Sequence, residues 1–186
     1  MSKLQHSLQG YQVSLDSVQQ HELEMIRQWR NDPEVARYML SQEPISAEQQ
    51  QAWFNKISRD AAQQHFVIRY KQQPIGVANI RAYYLGEELN QARAAEPGLY
   101  IAEPRYRGNL LAFAPTLLLN DYCFDVLQVE FLAAVVKEDN HAALSYNAKL
   151  GYRIEKQADL VEIRLSKADY QQHSQSLKAL LSRQAR

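Results

Sequence analysis

"YIAEPRYRGNLLAFAPTLLLNDYCFD", residues 100–125, decides how this chain is read. It opens extended and apolar, meets Pro104, passes through a basic turn and continues as a helical stretch. Strand, turn and helix start in that order can hold a phosphate, because a helix N-terminus presents free backbone N–H groups and a partial positive charge. Arg105 and Arg107 supply charge, and Gly108 is the flexible point. Phosphate turns usually carry several glycines. With one, the turn taken by itself is more often an ordinary solvated loop.

A second junction follows. "VEFLAAVV" (129–136) reads as a buried strand, and "NHAALSYNAKLGY" (140–152) as a helix capped by Asn140 and ended by Gly151. Tyr146 and Lys149, three apart, share one side of that helix. Two successive strand-to-helix junctions put two loops at the same sheet edge. A long ligand then fits between the two strands, with its phosphates on the first helix start.

Outward from this region, "YQVSL" (11–15) alternates as a first strand. Residues 19–32 read as a helix with Leu23, Ile26 and Arg30 on one face, limited by Pro33. Residues 45–58 form a second helix, with Ser46 as N-cap and Gln49 at the capping-box position. "HFVIRY" (65–70) and "IGVANIRAYY" (75–84) read as a hairpin, the stretch from Leu85 to Ala95 as a polar loop, and "GLYIA" (98–102) as a short strand. A helix over 114–127, a closing antiparallel pair at 152–156 and 160–166, and a terminal helix complete the order. The expected fold class is α+β: one domain over 1–168 with a mixed, mostly antiparallel sheet flanked by helices, then a helical tail at 169–186.

The chain has 186 residues, 46% of them hydrophobic, which suits one globular domain with a sizeable core. Lys plus Arg (21) balance Asp plus Glu (21), so a protein that coats nucleic acid is disfavoured. The single cysteine, Cys123, rules out an internal disulfide and reads as a packed core thiol. No apolar run reaches the roughly 20 residues of a membrane span, and "MSKLQHSLQG" has no secretory core. A cytoplasmic protein without membrane or nucleic-acid partners is expected. The five His show no metal-ligand spacing, so no metal is expected, and His65 reads as a strand-edge residue.

These motifs resemble the Gcn5-related N-acetyltransferases (GNAT), which move an acetyl group from acetyl-CoA to an amine. "YRGNLLA" (106–112) is similar to the family's "YRGKGIG", and "NHAALSYNAKLGY" to its "N..A...Y.KLGF". The resemblance implies that 98–102 is the fourth strand and splays from the fifth. The backbone of Tyr100, Ile101 and Ala102 would grip the pantetheine arm and polarise the thioester. The turn of Arg107, Gly108, Asn109, Leu110, Leu111 and Ala112 would bind the pyrophosphate, with Asn140 and Lys149 also on the cofactor. Leu110 stands where the family usually has Gly, but it keeps its N–H. The family's thiolate-reprotonating tyrosine falls at Asn147. Tyr146 lies one residue earlier, about 100° round the helix, and is either the acid or a packing residue. Glu96, placed just before the strand, is the candidate base acting through a water, or an exposed Glu beside Pro97.

"IRQWRNDPEVARYM" (26–39) and "ISAEQQQAWF" (45–54) resemble one branch of the family. That branch includes acetylation of the 4-amino group of a UDP-linked amino sugar in pseudaminic acid synthesis, and ribosomal-protein N-terminal acetyltransferases are more distant relatives. Trp29, Met39 and Trp53 would form an apolar acceptor wall, Arg30 would pair with a phosphate, and Asn31 would read hydroxyls. The plainer reading makes the tryptophans core anchors. The expected activity is acetyl transfer to a small-molecule amine, foremost a nucleotide-linked amino sugar. The alternatives are a protein N-terminus or another small amine as acceptor, or a non-catalytic acyl-CoA-binding domain. The resemblance also accommodates a homodimer.

Overall fold

A computed structural model describes residues 4–183. Eight strands form one sheet: β1 (Ser7–Gly10), β2 (Val13–Ser17), β3 (Gln63–Tyr70), β4 (Gln73–Ala82), β5 (Ala94–Ile101), β6 (Phe131–Lys137), β7 (Arg153–Lys156) and β8 (Leu160–Ser166). Their order across the sheet is β1-β2-β3-β4-β5-β6-β8-β7. Six helices accompany them: α1 (Leu23–Asn31), α2 (Pro33–Ala36), α3 (Ala47–Ile57), α4 (Ala114–Asp121), α5 (His141–Lys149) and α6 (Lys167–Leu181). Every strand pair is antiparallel except β5 with β6. The α+β class, with a mixed and mostly antiparallel sheet, is therefore observed.

The parallel pair sets the architecture. β5 and β6 meet only at Ala94 with Phe131 and Ala95 with Leu132. Beyond that point β5 stays zipped to β4 as far as Ile101, and β6 stays zipped to β8 as far as Lys137. Each strand follows its own antiparallel neighbour, so the two diverge and leave a V-shaped gap. The main core fills the face carrying α4, with Phe66, Ile80, Leu117, Leu119, Leu132 and Leu165 showing no exposure. A smaller cluster of Val18, Leu23, Ile26, Val67 and Val77 packs α1 and α3 against the other face, with Trp29, Trp53 and Tyr100 against it. Ser46 caps α3 through the expected box: Gln49 N–H reaches Ser46 Oγ at 3.2 Å, and Ser46 N–H reaches Gln49 Oε1 at 2.8 Å.

The first hairpin and β5 differ most from the sequence reading, while the helix expected over 114–127 ends at Leu127 as read. Tyr11 and Gln12 are not strand but the two left-handed residues of a hairpin turn, with φ of 52° and 70°. β1 was missed because neither central residue of this turn is the Gly, Asn or Asp that usually marks it. β5 starts at Ala94 rather than Gly98, because two small buried alanines in a parallel pair give no alternation to read. α4 runs on as a π-helical segment, Tyr122–Leu127, ended by left-handed Gln128. The helical run Leu110–Leu127 is long and apolar enough, by composition, to cross a membrane. Here most of it is buried, with Cys123 fully so.

The division at 168/169 falls inside α6, which packs on α4. Asp121 of α4 accepts bonds from Tyr170 Oη at 2.7 Å, from Lys178 Nζ at 2.6 Å, and from Tyr11 Oη in the first hairpin turn. Tyr170 and Leu181 are buried. One carboxylate thus ties together the N-terminal hairpin, the central helix and the last helix.

Candidate active site

The ladder bonds decide which backbone groups face the gap. Tyr83 N–H bonds Ala94 O at 2.9 Å, and Ala102 N–H bonds Ile75 O at 2.8 Å. Residues 94, 96, 98, 100 and 102 therefore direct their main chain to β4, and the residues between them direct theirs to the β6 side. Arg93 O accepts from Glu130 N–H at 2.7 Å on that side. Pro97 has no N–H, so Leu99 and Ile101 carry the amides that open on the gap. The expectation had named Tyr100, Ile101 and Ala102. Ile101 faces the gap, Tyr100 and Ala102 spend their backbone on β4, and Leu99 was missed. The Tyr100 side chain still lines the cleft, its phenol pushed above the ordinary range by burial.

The turn after β5 is a cradle of donors. Gly108 has φ of 70°, and a Cβ built on it would meet nothing within 4 Å. The amides of residues 108 to 111 donate no hydrogen bond among the described residues, while Ala112 N–H returns to Asn109 O at 3.1 Å. Four free N–H groups at a helix start, around open space, suit an anionic group. The arginine side chains contribute less than the sequence suggested. Arg107 braces the strand end, Nε to Ile101 O at 2.8 Å and Nη2 to Ala102 O at 2.5 Å, and Arg105 pairs with Glu103 at 3.0 Å. Asn109 Nδ2 bonds Arg105 O at 3.0 Å. Leu110 is 42% exposed and does not line the cleft, so it leaves the gap open. Leu111 packs on the core, and Ala112 lines the cleft. Pro115 sits in the first turn of α4, where its missing N–H is harmless.

On the far wall, Asn140 caps α5 by accepting Ala143 N–H at 3.1 Å. Tyr146 Oη donates to Ala112 O at 2.9 Å and pairs with the Thr116 hydroxyl, while its ring stacks on Phe113 at 4.4 Å and 8°. Burial raises its pKa. Asn147 Nδ2 bonds Ala143 O at 2.9 Å on its own helix. Lys149 is exposed and outside the cleft lining. The cleft itself encloses about 560 Å³ and runs from α2 and Met39, past Gly98 and Tyr100, through the gap to Val136, Asn140 and Tyr146. Its size, its apolar arm and its amide cradle fit an acyl-CoA with the diphosphate on residues 108–111.

Residues 12–153 match the family described as the acetyltransferase (GNAT) domain. The chain belongs to the GNAT acetyltransferases. It is similar to the acetyltransferase PseH of Campylobacter jejuni (serotype O:23/36, strain 81-176), 28% identical over 153 residues that cover 80% of this chain and 88% of that protein. Its fold is similar to that of a Vibrio cholerae spermidine N-acetyltransferase in complex with CoA and spermine, with a TM-score of 0.71, 22% identity and coverage of 86% and 98%. It is also similar to apo FdhC, described as a nucleotide-linked sugar GNAT, with a TM-score of 0.73, 17% identity and coverage of 92% and 96%. The enzyme is thus an acetyl-CoA-dependent N-acetyltransferase.

In this acetyltransferase Glu96 lies within β5, not before it, opposite Arg81 of β4, whose Nη2 is 2.8 Å from its carboxylate. The same sheet face carries the row His65, Asn79 and Gly98. His65 is not at an edge. Its ring meets Trp53 edge-on at 5.2 Å, and its Nε2 is 2.8 Å from Gln63 Oε1. Burial lowers the His65 pKa from 6.5 to about 4. The imidazole is neutral in the fold but protonates in the unfolded chain below 6.5. Its contribution to stability is full above 6.5 and is lost as pH falls towards 4. Wild type is expected to lose on the order of 2 kcal/mol more than His65→Phe between pH 7 and pH 4.5, measured by urea unfolding. Equal losses would refute the assignment.

The expected acceptor residues separate. Asn31 bonds Ile45 with both amide atoms, accepting its N–H at 2.8 Å and donating to its C=O at 2.9 Å, and does not line the cleft. Trp29 and Trp53 pack in the smaller cluster, and only Met39 of the three apolar residues lines the cleft. Arg30 Nη2 holds Ser41 O at 2.6 Å, while Nη1 is buried with no partner. Among the described residues no three His, Cys, Asp or Glu side chains gather as metal ligands.

Proposed function

We propose that this enzyme acetylates the primary amine of a nucleotide-linked amino sugar. Acetyl-CoA, once bound, supplies the acetyl group as a thioester. The amides of residues 108–111 hold its diphosphate, and the Leu99 and Ile101 amides hold the arm and polarise the acyl carbonyl. Glu96, held by Arg81 on the acceptor side of β5, takes the ammonium proton through a water. Holding both reactants in one cleft contributes several kcal/mol more.

The unpartnered Arg30 Nη1 carries the choice of acceptor. Burial lowers the Arg30 pKa, and Tyr100, whose interaction with Arg30 acts against that, lines the cleft while Arg30 stands behind the lining. A buried guanidinium nitrogen without a partner favours an anionic acceptor such as a sugar nucleotide. A thiol-release assay over UDP- and TDP-linked amino sugars, spermidine and a free-N-terminus peptide tests the proposal. Arg30→Ala is expected to raise the KM for the sugar nucleotide about 10- to 100-fold, with the KM for acetyl-CoA little changed. Turnover of spermidine or the peptide alone, indifferent to Arg30→Ala, would sink the reading.

A further inference from the structure

Transfer of the acetyl group leaves a thiolate that needs a proton, and the groups nearest the family's usual donor position are already committed. The Tyr146 proton goes to the Ala112 carbonyl, and its oxygen receives the Thr116 hydroxyl. Asn147 bonds its own helix and carries no acidic proton. Tyr152 differs from both. It is 8% exposed, packed in the main core, and still lines the cleft. Its hydroxyl makes no hydrogen bond among the described residues. A buried tyrosine hydroxyl ordinarily finds a partner, so one that lacks a partner and opens on a cleft is free to meet a ligand.

Tyr152 lines the cleft together with Pro97 and Gly98 of β5, Thr116 and Leu119 of α4 and Tyr146 of α5. Its electrostatic neighbours are Cys123 on the π-helical continuation of α4, Tyr146 on α5 and Glu96 on β5. Glu96 directly follows Ala95, the last β5 residue still paired with β6. We propose that Tyr152 is the catalytic residue that returns the proton to the coenzyme sulfur. The amine nitrogen attacks the acyl carbon, the C–S bond breaks with its electron pair on sulfur, and the Tyr152 O–H proton passes to that sulfur, giving free CoA thiol. The tyrosinate then regains one of the two protons that the nitrogen loses on going from ammonium to amide, and the other leaves to solvent, so the overall reaction releases one proton. Burial keeps Tyr152 as the neutral phenol, and it raises the proton affinity of a thiolate formed in the same space. Tyr146 is left as a positioning residue that braces the cofactor turn against α5.

The proposal rests on acetyl transfer and not on the identity of the acceptor, so its first test needs no acceptor. Calorimetric titration with CoA and with desulfo-CoA compares ligands that differ at the sulfur. Wild type is expected to prefer CoA about two- to tenfold, and Tyr152→Phe, which deletes only an unpartnered oxygen, is expected to lose that preference. With whichever amine the enzyme turns over fastest, Tyr152→Phe is expected to lower kcat at least tenfold with the KM for acetyl-CoA unchanged. Equal affinity of wild type for the two ligands overturns the proposal without any variant. So does a Tyr152→Phe enzyme that keeps the preference, or loss of it in Tyr146→Phe instead.

Discussion

Gly108→Val is expected to weaken acetyl-CoA binding about 10- to 100-fold while lowering the melting temperature by only a few degrees. The binding loss has two sources. A Cβ at this position enters space that is empty of protein atoms, beside the four free amides. A β-branched residue also resists a φ of 70°, so the turn relaxes and the amides lose their common aim. Each charge-assisted N–H bond lost is worth about 1.5 to 3 kcal/mol, and 1.4 kcal/mol is tenfold in affinity. The strain itself is about 1 to 2 kcal/mol, or roughly 3 to 6 °C for a chain of this size. Calorimetry and thermal melts separate the two effects. A valine variant that binds normally would mean that the diphosphate lies elsewhere.

Asp121→Ala is expected to act on stability and far less on catalysis. The carboxylate receives two tyrosine hydroxyls and the Lys178 ammonium, from elements separated by most of the sequence. Removing it leaves the Tyr11 hydroxyl and the Lys178 ammonium without this acceptor, and the buried Tyr170 hydroxyl with only the Leu117 carbonyl at 3.0 Å. A loss of about 2 to 4 kcal/mol follows, and with it a fall of about 10 °C in melting temperature. The KM for acetyl-CoA should stay within about twofold, because Asp121 does not line the cleft. A melting temperature equal to that of wild type would show that the last helix docks by apolar contacts alone.

The motifs were legible because they encode local geometry. A glycine with open space around it, an Asn cap and a Ser–Gln capping box are decided within a few residues of sequence. The two neighbouring loops at one sheet edge were legible from two consecutive strand-to-helix junctions, while the splay of the strands came from the resemblance to the family. Less was readable where register or distant contacts decide. Whether Tyr100 or its neighbours open their amides on the gap depends on which residues pair with β4. Arg107, Asn31 and Tyr146 look like ligand-facing side chains until their partners at Ile101, Ile45 and Ala112 are seen. Tyr152 reads as a core aromatic after a capping glycine, and only its missing partner distinguishes it. The hairpin turn at Tyr11–Gln12 has left-handed backbone at two residues that do not mark it, whereas the equally glycine-free turn at Lys71–Gln72 was legible from the strands on either side.

Backbone amide hydrogen exchange, with and without saturating acetyl-CoA, reports on the cradle and the open strand edge at once. Exchange at Leu99, Ile101 and residues 108 to 111 should slow at least tenfold when the coenzyme binds, with little change at Tyr100 and Ala102, which already donate to β4. Undiminished exchange at 108 to 111 under saturation would contradict the assignment of this turn as the diphosphate site.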